Sequence, residues 1–175
     1  FEAFRDHVHP TGPAGQDDLT TKPPHQFEWS RAHNPDRKPL KEFRNPAYFA
    51  ANHFVDRLIG DLVDSVDQHC AENTWILYCS DHGDFLGAHS LGAKGPAMYD
   101  EITRVPFILR GPKGNRDPQV ISEPVSLVDI TPTVLQLAGL ETPPVLDGTS
   151  LLPFVTSGSA KERGDVLVEF NRFEI

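Results

Sequence analysis

A short apolar run that stops abruptly at Ser80-Asp81-His82-Gly83 constrains this chain more than any other feature. Trp75, Ile76, Leu77, Tyr78 and Cys79 form a β-rich stretch, and a lysine, Lys94, follows twelve residues after the histidine. In open α/β sheets, ligands bind in the crevice outside the carboxyl ends of the strands, so the layout predicts a strand that delivers ligands into a site. Gly83 is expected to let the backbone turn sharply there. Asp81 offers a hard anionic oxygen and His82 a neutral nitrogen, a pair suited to one divalent cation such as calcium, manganese, magnesium or zinc. Lys94 is then placed to hold an anionic substrate. Successive strand residues point to opposite faces, so Asp81 and His82 reach one cation only if the chain leaves strand geometry at Ser80 or Asp81. The plainer alternatives are an Asx turn at Asp81 and a solvated lysine between Ala93 and Gly95.

The surrounding pattern alternates helix and strand. Asn45 is an N-cap candidate and Pro46 suits the first helical position, while Val55, Leu58, Ile59, Leu62, Val63 and Val66 recur at helical spacing. A helix from Pro46 to about His69, roughly 36 Å long, is expected to pack that stripe on the sheet, with His53 and His69 as solvated or capping residues. Strands are predicted at Trp75–Cys79, Val105–Arg110, Gln119–Val125 and Asp165–Phe170. Thr131 or Asp129 is expected to cap a helix that starts near Pro132 and ends before Gly139. Strands alternating with helices argue for an α/β, mainly parallel sheet flanked by helices. Residues 1–44, rich in proline and glycine, read as a loop-rich segment, and residues 45–175 as the α/β part.

A net charge of −9 opposes nucleic acid or an anionic membrane as partners, though a local basic site for an anion fits inside an acidic protein. No apolar run approaches the ~20 residues of a membrane helix. Two cysteines, Cys70 and Cys79, give no disulfide framework and no structural zinc pattern, and both are expected to be buried thiols.

Two ordered blocks carry a family resemblance. Ser80-Asp81-His82-Gly83, Leu86-Gly87-x-His89, Lys94, Tyr99-Asp100-Glu101 and Arg104-Val105-Pro106-Phe107-Ile108 make the first. Val125-Ser126-Leu127-Val128-Asp129-Ile130-Thr131-Pro132-Thr133-Val134-Leu135, Ala138-Gly139 and Asp147-Gly148-x-Ser150-Leu151-Leu152-Pro153 make the second. Together they resemble the carboxyl-terminal part of the catalytic domain of the sulfatase family, within the alkaline phosphatase superfamily, from about Asp17 to about Glu169. Asp17-Asp18-Leu19 through Pro24-His25-Gln26 resembles a further family segment, and His25 is expected on a surface loop.

The resemblance implies a partial sulfatase-like fold and a metal-dependent hydrolysis of sulfate esters. It makes Asp81 and His82 ligands of one divalent metal ion, calcium first and manganese or magnesium next. It makes Lys94 both a catalytic and a substrate-binding residue that contacts the sulfate oxygens, several ångströms from the metal. His89 acts in catalysis, lines the pocket, or hydrogen-bonds the turn that presents Lys94. Asp84 is expected to orient His82 from behind, since metal-bound histidines usually have a partner for the other nitrogen. Arg104 is expected to pair with Asp100 or Glu101.

The family's nucleophile, a formylglycine made from a Cys/Ser-x-Pro-x-Arg motif, and its early pair of metal-binding aspartates have no counterpart in these 175 residues. The chain therefore reads as an internal piece of a larger enzyme, inactive alone, whose apolar faces need the missing segments or a neighbouring copy. The substrate implied is a sulfate-ester small molecule or a sulfated glycan. A phosphonate or phosphate ester hydrolase of the same superfamily, and a non-catalytic module that kept the fold, remain as alternatives.

Overall fold

The structure, a computed structural model, describes residues 2–36, 38–114, 118–157 and 164–169. Its regular elements are β1 (His9–Pro10), α1 (Pro24–His33), β2 (Glu42–Phe43), α2 (Pro46–His69), β3 (Ile76–Cys79), α3 (Asp100–Thr103), β4 (Phe107–Arg110), α4 (Ile130–Leu137) and α5 (Leu152–Ser157). β1 pairs antiparallel with β2, His9 opposite Phe43 and Pro10 opposite Glu42. β3 and β4 pair in a second two-stranded sheet. The chain divides into two compact units, residues 1–74 with 78–108, and residues 75–77 with 109–175. No described helix is long and apolar enough to cross a membrane.

In the first unit, α2 begins as its sequence dictates. Asn45 accepts a hydrogen bond from the Tyr48 amide at 3.1 Å, satisfying one of the orphan donors of the first turn, and proline occupies the first helical position. Its amino-terminal turns pack on the amino-terminal segment, where the His7 and Phe49 rings meet edge-on at 4.3 Å and the Phe4 and His53 rings lie 5.5 Å apart. No residue of the helix is fully buried. Ile59, Val63 and Val66 are half-buried, whereas Phe54 (62% exposed), Val55, Leu58 and Leu62 (64%) lie open. The expected packing of the whole stripe on a sheet is therefore not what the described residues form.

The unit's core lies elsewhere. Leu19, Phe85, Leu91, Ala97 and Ile102 form a buried cluster, with Trp29 and Tyr99 packed against it. Phe85, 1% exposed, is its hub and meets Trp29 edge-on at 5.5 Å and Tyr99 at 6.0 Å. Helix α1 supplies Trp29, so residues 1–44 contribute a helix and a strand pair rather than loops alone. His25 lies exposed on this helix instead of on a loop. Two adjacent prolines hide the helix in the sequence, yet Pro24 sits at the first helical position, where its missing N–H costs nothing.

The second unit is organised by one carboxylate. Asp129 is fully buried; one oxygen accepts from the Ser126 amide and the other from the Thr149 amide, each at 2.8 Å. Ser126 and Asp129 form a capping box that leads into α4. Thr133 donates to the Asp129 carbonyl at 2.6 Å and accepts from the Leu151 amide at 2.9 Å, tying the Gly148–Leu151 turn to the helix. The strands expected at Gln119–Val125 and Asp165–Phe170 are not formed. The described residues of both stretches are irregular, Phe170 lying outside them. Apolar alternation becomes a strand only where a neighbour takes up its backbone hydrogen bonds.

Candidate functional site

β3 ends at Cys79, and the next residues leave strand geometry at once. Ser80 donates its hydroxyl to the His82 carbonyl at 2.9 Å, and the His82 amide donates to Asp81 Oδ1 at 2.9 Å. This tight turn swings Asp81 Oδ2 to 3.3 Å from His82 Nε2. One cation about 2.0–2.2 Å from each atom spans such a gap. His82 Nδ1 lies 2.8 Å from the Gly83 carbonyl. A carbonyl only accepts, so Nδ1 carries the proton and Nε2 presents its lone pair outward, the tautomer a metal-bound histidine uses.

Asp84 does not orient that ring. Its carboxylate accepts from the Leu86 amide at 2.9 Å and starts the following turn, because a carboxylate two residues before a free amide closes an Asx turn. Gly83 also differs from expectation. Its φ is not positive; its role is close approach, since a Cβ at 83 would run into the Glu101 carbonyl oxygen. The Gly83 amide donates to the Ile102 carbonyl at 2.9 Å, pinning the ligand turn to α3.

Lys94 Nζ lies 2.7 Å from His82 Nε2. The outward lone pair of that nitrogen is an acceptor within the ammonium's reach. Asp81 is 81% exposed. Slight desolvation pushes the carboxyl up, but the His82 amide, the His82 side chain and the Lys94 charge outweigh that and hold it below the ordinary 3.8. Asp81 is thus an ionised donor at neutral pH.

The segment from Leu86 to Ala93 is wound tightly. Leu86, His89, Ser90 and Ala93 all have positive φ, 45° to 56°, a conformation disfavoured for residues with a Cβ. The Phe85 amide donates to the Ala93 carbonyl at 3.0 Å and the Gly87 amide to the Leu91 carbonyl at 3.2 Å. Gly95 lets the chain pass against Trp29, where any side chain would strike the indole.

His89 sits inside this turn, 12% exposed. Its Nδ1 is 2.8 Å from Asp17 Oδ2, its Nε2 is 3.4 Å from Glu101 Oε2, and its ring stacks on Tyr99 at 3.7 Å. The Tyr99 hydroxyl donates to Gln26 at 2.7 Å, and burial, with the Asp17 and Glu101 charges, raises its pKa. Burial pushes Asp17 up too, but the Leu19 amide and His89 outweigh it and hold the carboxyl below 3.8. Asp17, His89, Met98, Tyr99, Asp100 and Glu101 line an open cavity of about 570 Å³, which Asp81, His82 and Lys94 do not line. Asp17 has no sequence signal tying it to a histidine 72 residues away; Tyr99 and Glu101 stood in a motif without a role.

Arg104 pairs with Asp100 at 3.3 Å. Cys70 is exposed and Cys79 half-buried, so neither is the buried thiol expected; Cys70 follows the last turn of α2. Among the described residues, no group of three or more His, Cys, Asp or Glu side chains forms a metal cage. Asp81 and His82 are a pair.

The sulfatase family profile matches residues 7–140. The uncharacterized sulfatase YidJ of Escherichia coli is 42% identical over 175 residues, all of this chain and 34% of that protein. The chain thus spans about a third of the length of that relative. Among solved structures, the phosphonate monoester hydrolase SpPMH from Silicibacter pomeroyi matches with a TM-score of 0.57 at 33% identity, over 63% of this chain and 22% of that one. BT4656, in complex with its substrate D-glucosamine-2-N,6-O-disulfate, matches with a TM-score of 0.53 at 36% identity, over 63% of this chain and 22% of that one. These neighbours have sulfatase-like α/β folds, of which this chain forms a part. The chain belongs to the sulfatase family.

Proposed function

We propose that the chain supplies the metal-ligand pair and the anion-contacting lysine of a divalent-metal-dependent sulfuric ester hydrolase, whose formylglycine nucleophile comes from residues outside these 175. The observation that carries this reading is the placement of Asp81 Oδ2 at 3.3 Å and Lys94 Nζ at 2.7 Å from His82 Nε2, just after β3. Asp81 and His82 would hold the cation, calcium first and manganese or magnesium next. A carboxylate oxygen and an imidazole nitrogen suit such ions, and further oxygen ligands would come from elsewhere in the protein. When bound, the cation acts as a Lewis acid toward a sulfuryl oxygen and favours the ionised nucleophile.

The chain's own residues do the rest. Gly83 holds the His82 tautomer through its carbonyl, and Asp81 stays ionised beside it. A cation would take the histidine lone pair that Lys94 now contacts, which would leave the ammonium free to contact an anionic substrate. There it neutralises charge that develops on the sulfuryl and leaving oxygens. The complex of BT4656 with a disulfated glucosamine supports a sulfated glycan or small sulfate ester as substrate. The match to SpPMH supports a second reading, hydrolysis of phosphonate monoesters at the same residues.

In the full-length protein, Lys94→Ala is expected to lower turnover of an aryl sulfate by about 10²-fold or more while leaving the unfolding temperature unchanged. Chelation should abolish activity, and calcium, manganese or magnesium should restore it in the parent but not in Asp81→Ala. Turnover of an aryl phosphonate with none of the sulfate would favour the second reading. Full activity in Lys94→Ala would refute the lysine's role, and the 175-residue chain assayed alone should show no hydrolysis.

A further inference from the structure

The turn that ends at Lys94 is not held by its own sequence. Four of its non-glycine residues are left-handed, and its tip is fastened to two distant points through His89. The ring has one nitrogen against the Asp17 carboxylate and the other facing Glu101, with Tyr99 stacked on its face. Segment 99–102 is therefore used twice. The Glu101 carboxylate and the Tyr99 ring hold His89, while the Glu101 carbonyl fills the space beside Gly83 and the Ile102 carbonyl accepts the Gly83 amide. One short segment braces both the turn carrying His82 and the turn carrying Lys94.

We infer that His89, clamped by Asp17 and Glu101 and stacked on Tyr99, is a positioning residue that fixes Lys94 relative to His82, and that it does not touch the substrate. The inference rests on the role proposed above for Lys94. It separates two jobs that a histidine near a hydrolytic site can have. A reacting histidine contributes whether or not Lys94 is present; a positioning histidine contributes only through Lys94.

The test is a double-mutant cycle in the full-length protein with an aryl sulfate. His89→Ala should lower kcat by about 10²-fold, the size of effect produced by a misplacement near 1 Å, with little change in KM. On a Lys94→Ala background the same substitution should cost less than about 3-fold, because the interaction it serves is already gone. His89→Asn keeps a donor and a side chain tolerated at positive φ, so it should recover part of the loss. It also carries the cycle if His89→Ala does not fold. Asp17→Asn should reproduce the kcat loss in weaker form. Equal losses from the His89 substitution on both backgrounds would overturn this inference and leave the Lys94 role standing; full activity in Lys94→Ala alone would overturn that role and this inference with it.

Discussion

The turn between Gly83 and Ile102 and the helix α2 are opposites in how they are held. α2 is specified locally: an Asn cap, a proline at the first position and 24 residues with an apolar stripe make a helix, yet none of its residues is buried. The turn has poor local propensity, with left-handed backbone at residues carrying a Cβ, yet it supplies Phe85, Leu91, Ala97 and Ile102 to the buried cluster. Local signal and tertiary anchorage are thus separate properties. A helix forms wherever its sequence favours it, whereas a strained turn persists only where distant groups over-determine it.

Substitutions in the two regions should differ accordingly. The largest effect is expected for Phe85→Ala, a loss of about 3–5 kcal/mol in chemical denaturation, since the ring is fully buried at the hub of the cluster. A cost below 1 kcal/mol would show that the turn is looser than its packing implies. Gly83→Ala should follow at about 1–3 kcal/mol, because the new methyl meets backbone at Glu101 rather than a flexible side chain. It should also weaken metal affinity, which calorimetric titration of the full-length protein would read.

Acid should loosen the turn before the helix. The Asp17 carboxyl is held below 3.8 in the folded chain, so the unfolded state binds more protons around that pH. The stability it contributes is complete above 3.8 and disappears as pH falls through the lower folded value. Asp17→Asn should flatten this part of the pH profile; an unchanged acid slope would remove Asp17 from the clamp. The smallest effect belongs to α2. Leu62→Ser should change stability of the 175-residue chain by no more than about 0.5 kcal/mol. A much larger cost in the full-length protein would show that other residues cover the helix there.

Elements with strong local grammar were readable. α2 spans the predicted Pro46–His69, β3 starts one residue after the predicted Trp75, and β4 begins just beyond Pro106, as proline's missing donor requires. Asp129 stands just before α4 as expected, but its side chain caps no amide of that helix and instead closes the capping box of the preceding turn with Ser126. What failed was non-local. α1 hid among prolines, β1 and β2 are too short to show alternation, and the strands expected at 119–125 and 165–170 lack the pairing that would make them so. At the site, the order Asp81, His82, Lys94 was legible because it is contiguous. The partner of the His82 ring was not, because a backbone carbonyl carries no residue signal. Nor was the Asp17–His89–Glu101 linkage, which exists only once the chain folds back on itself.

The winding of residues 86–93 changes what the twelve-residue interval between His82 and Lys94 means. Stretched out, twelve residues reach roughly 40 Å; here their side-chain ends meet at 2.7 Å. The interval is a coiled path rather than a distance. Its useful content for recognising related chains lies in residues that tolerate the coil, such as a glycine at 87 and histidine at 89, more than in the count. A chain with the same count and β-branched residues at 86, 89, 90 and 93 would preserve the motif on paper and leave its lysine pointing away.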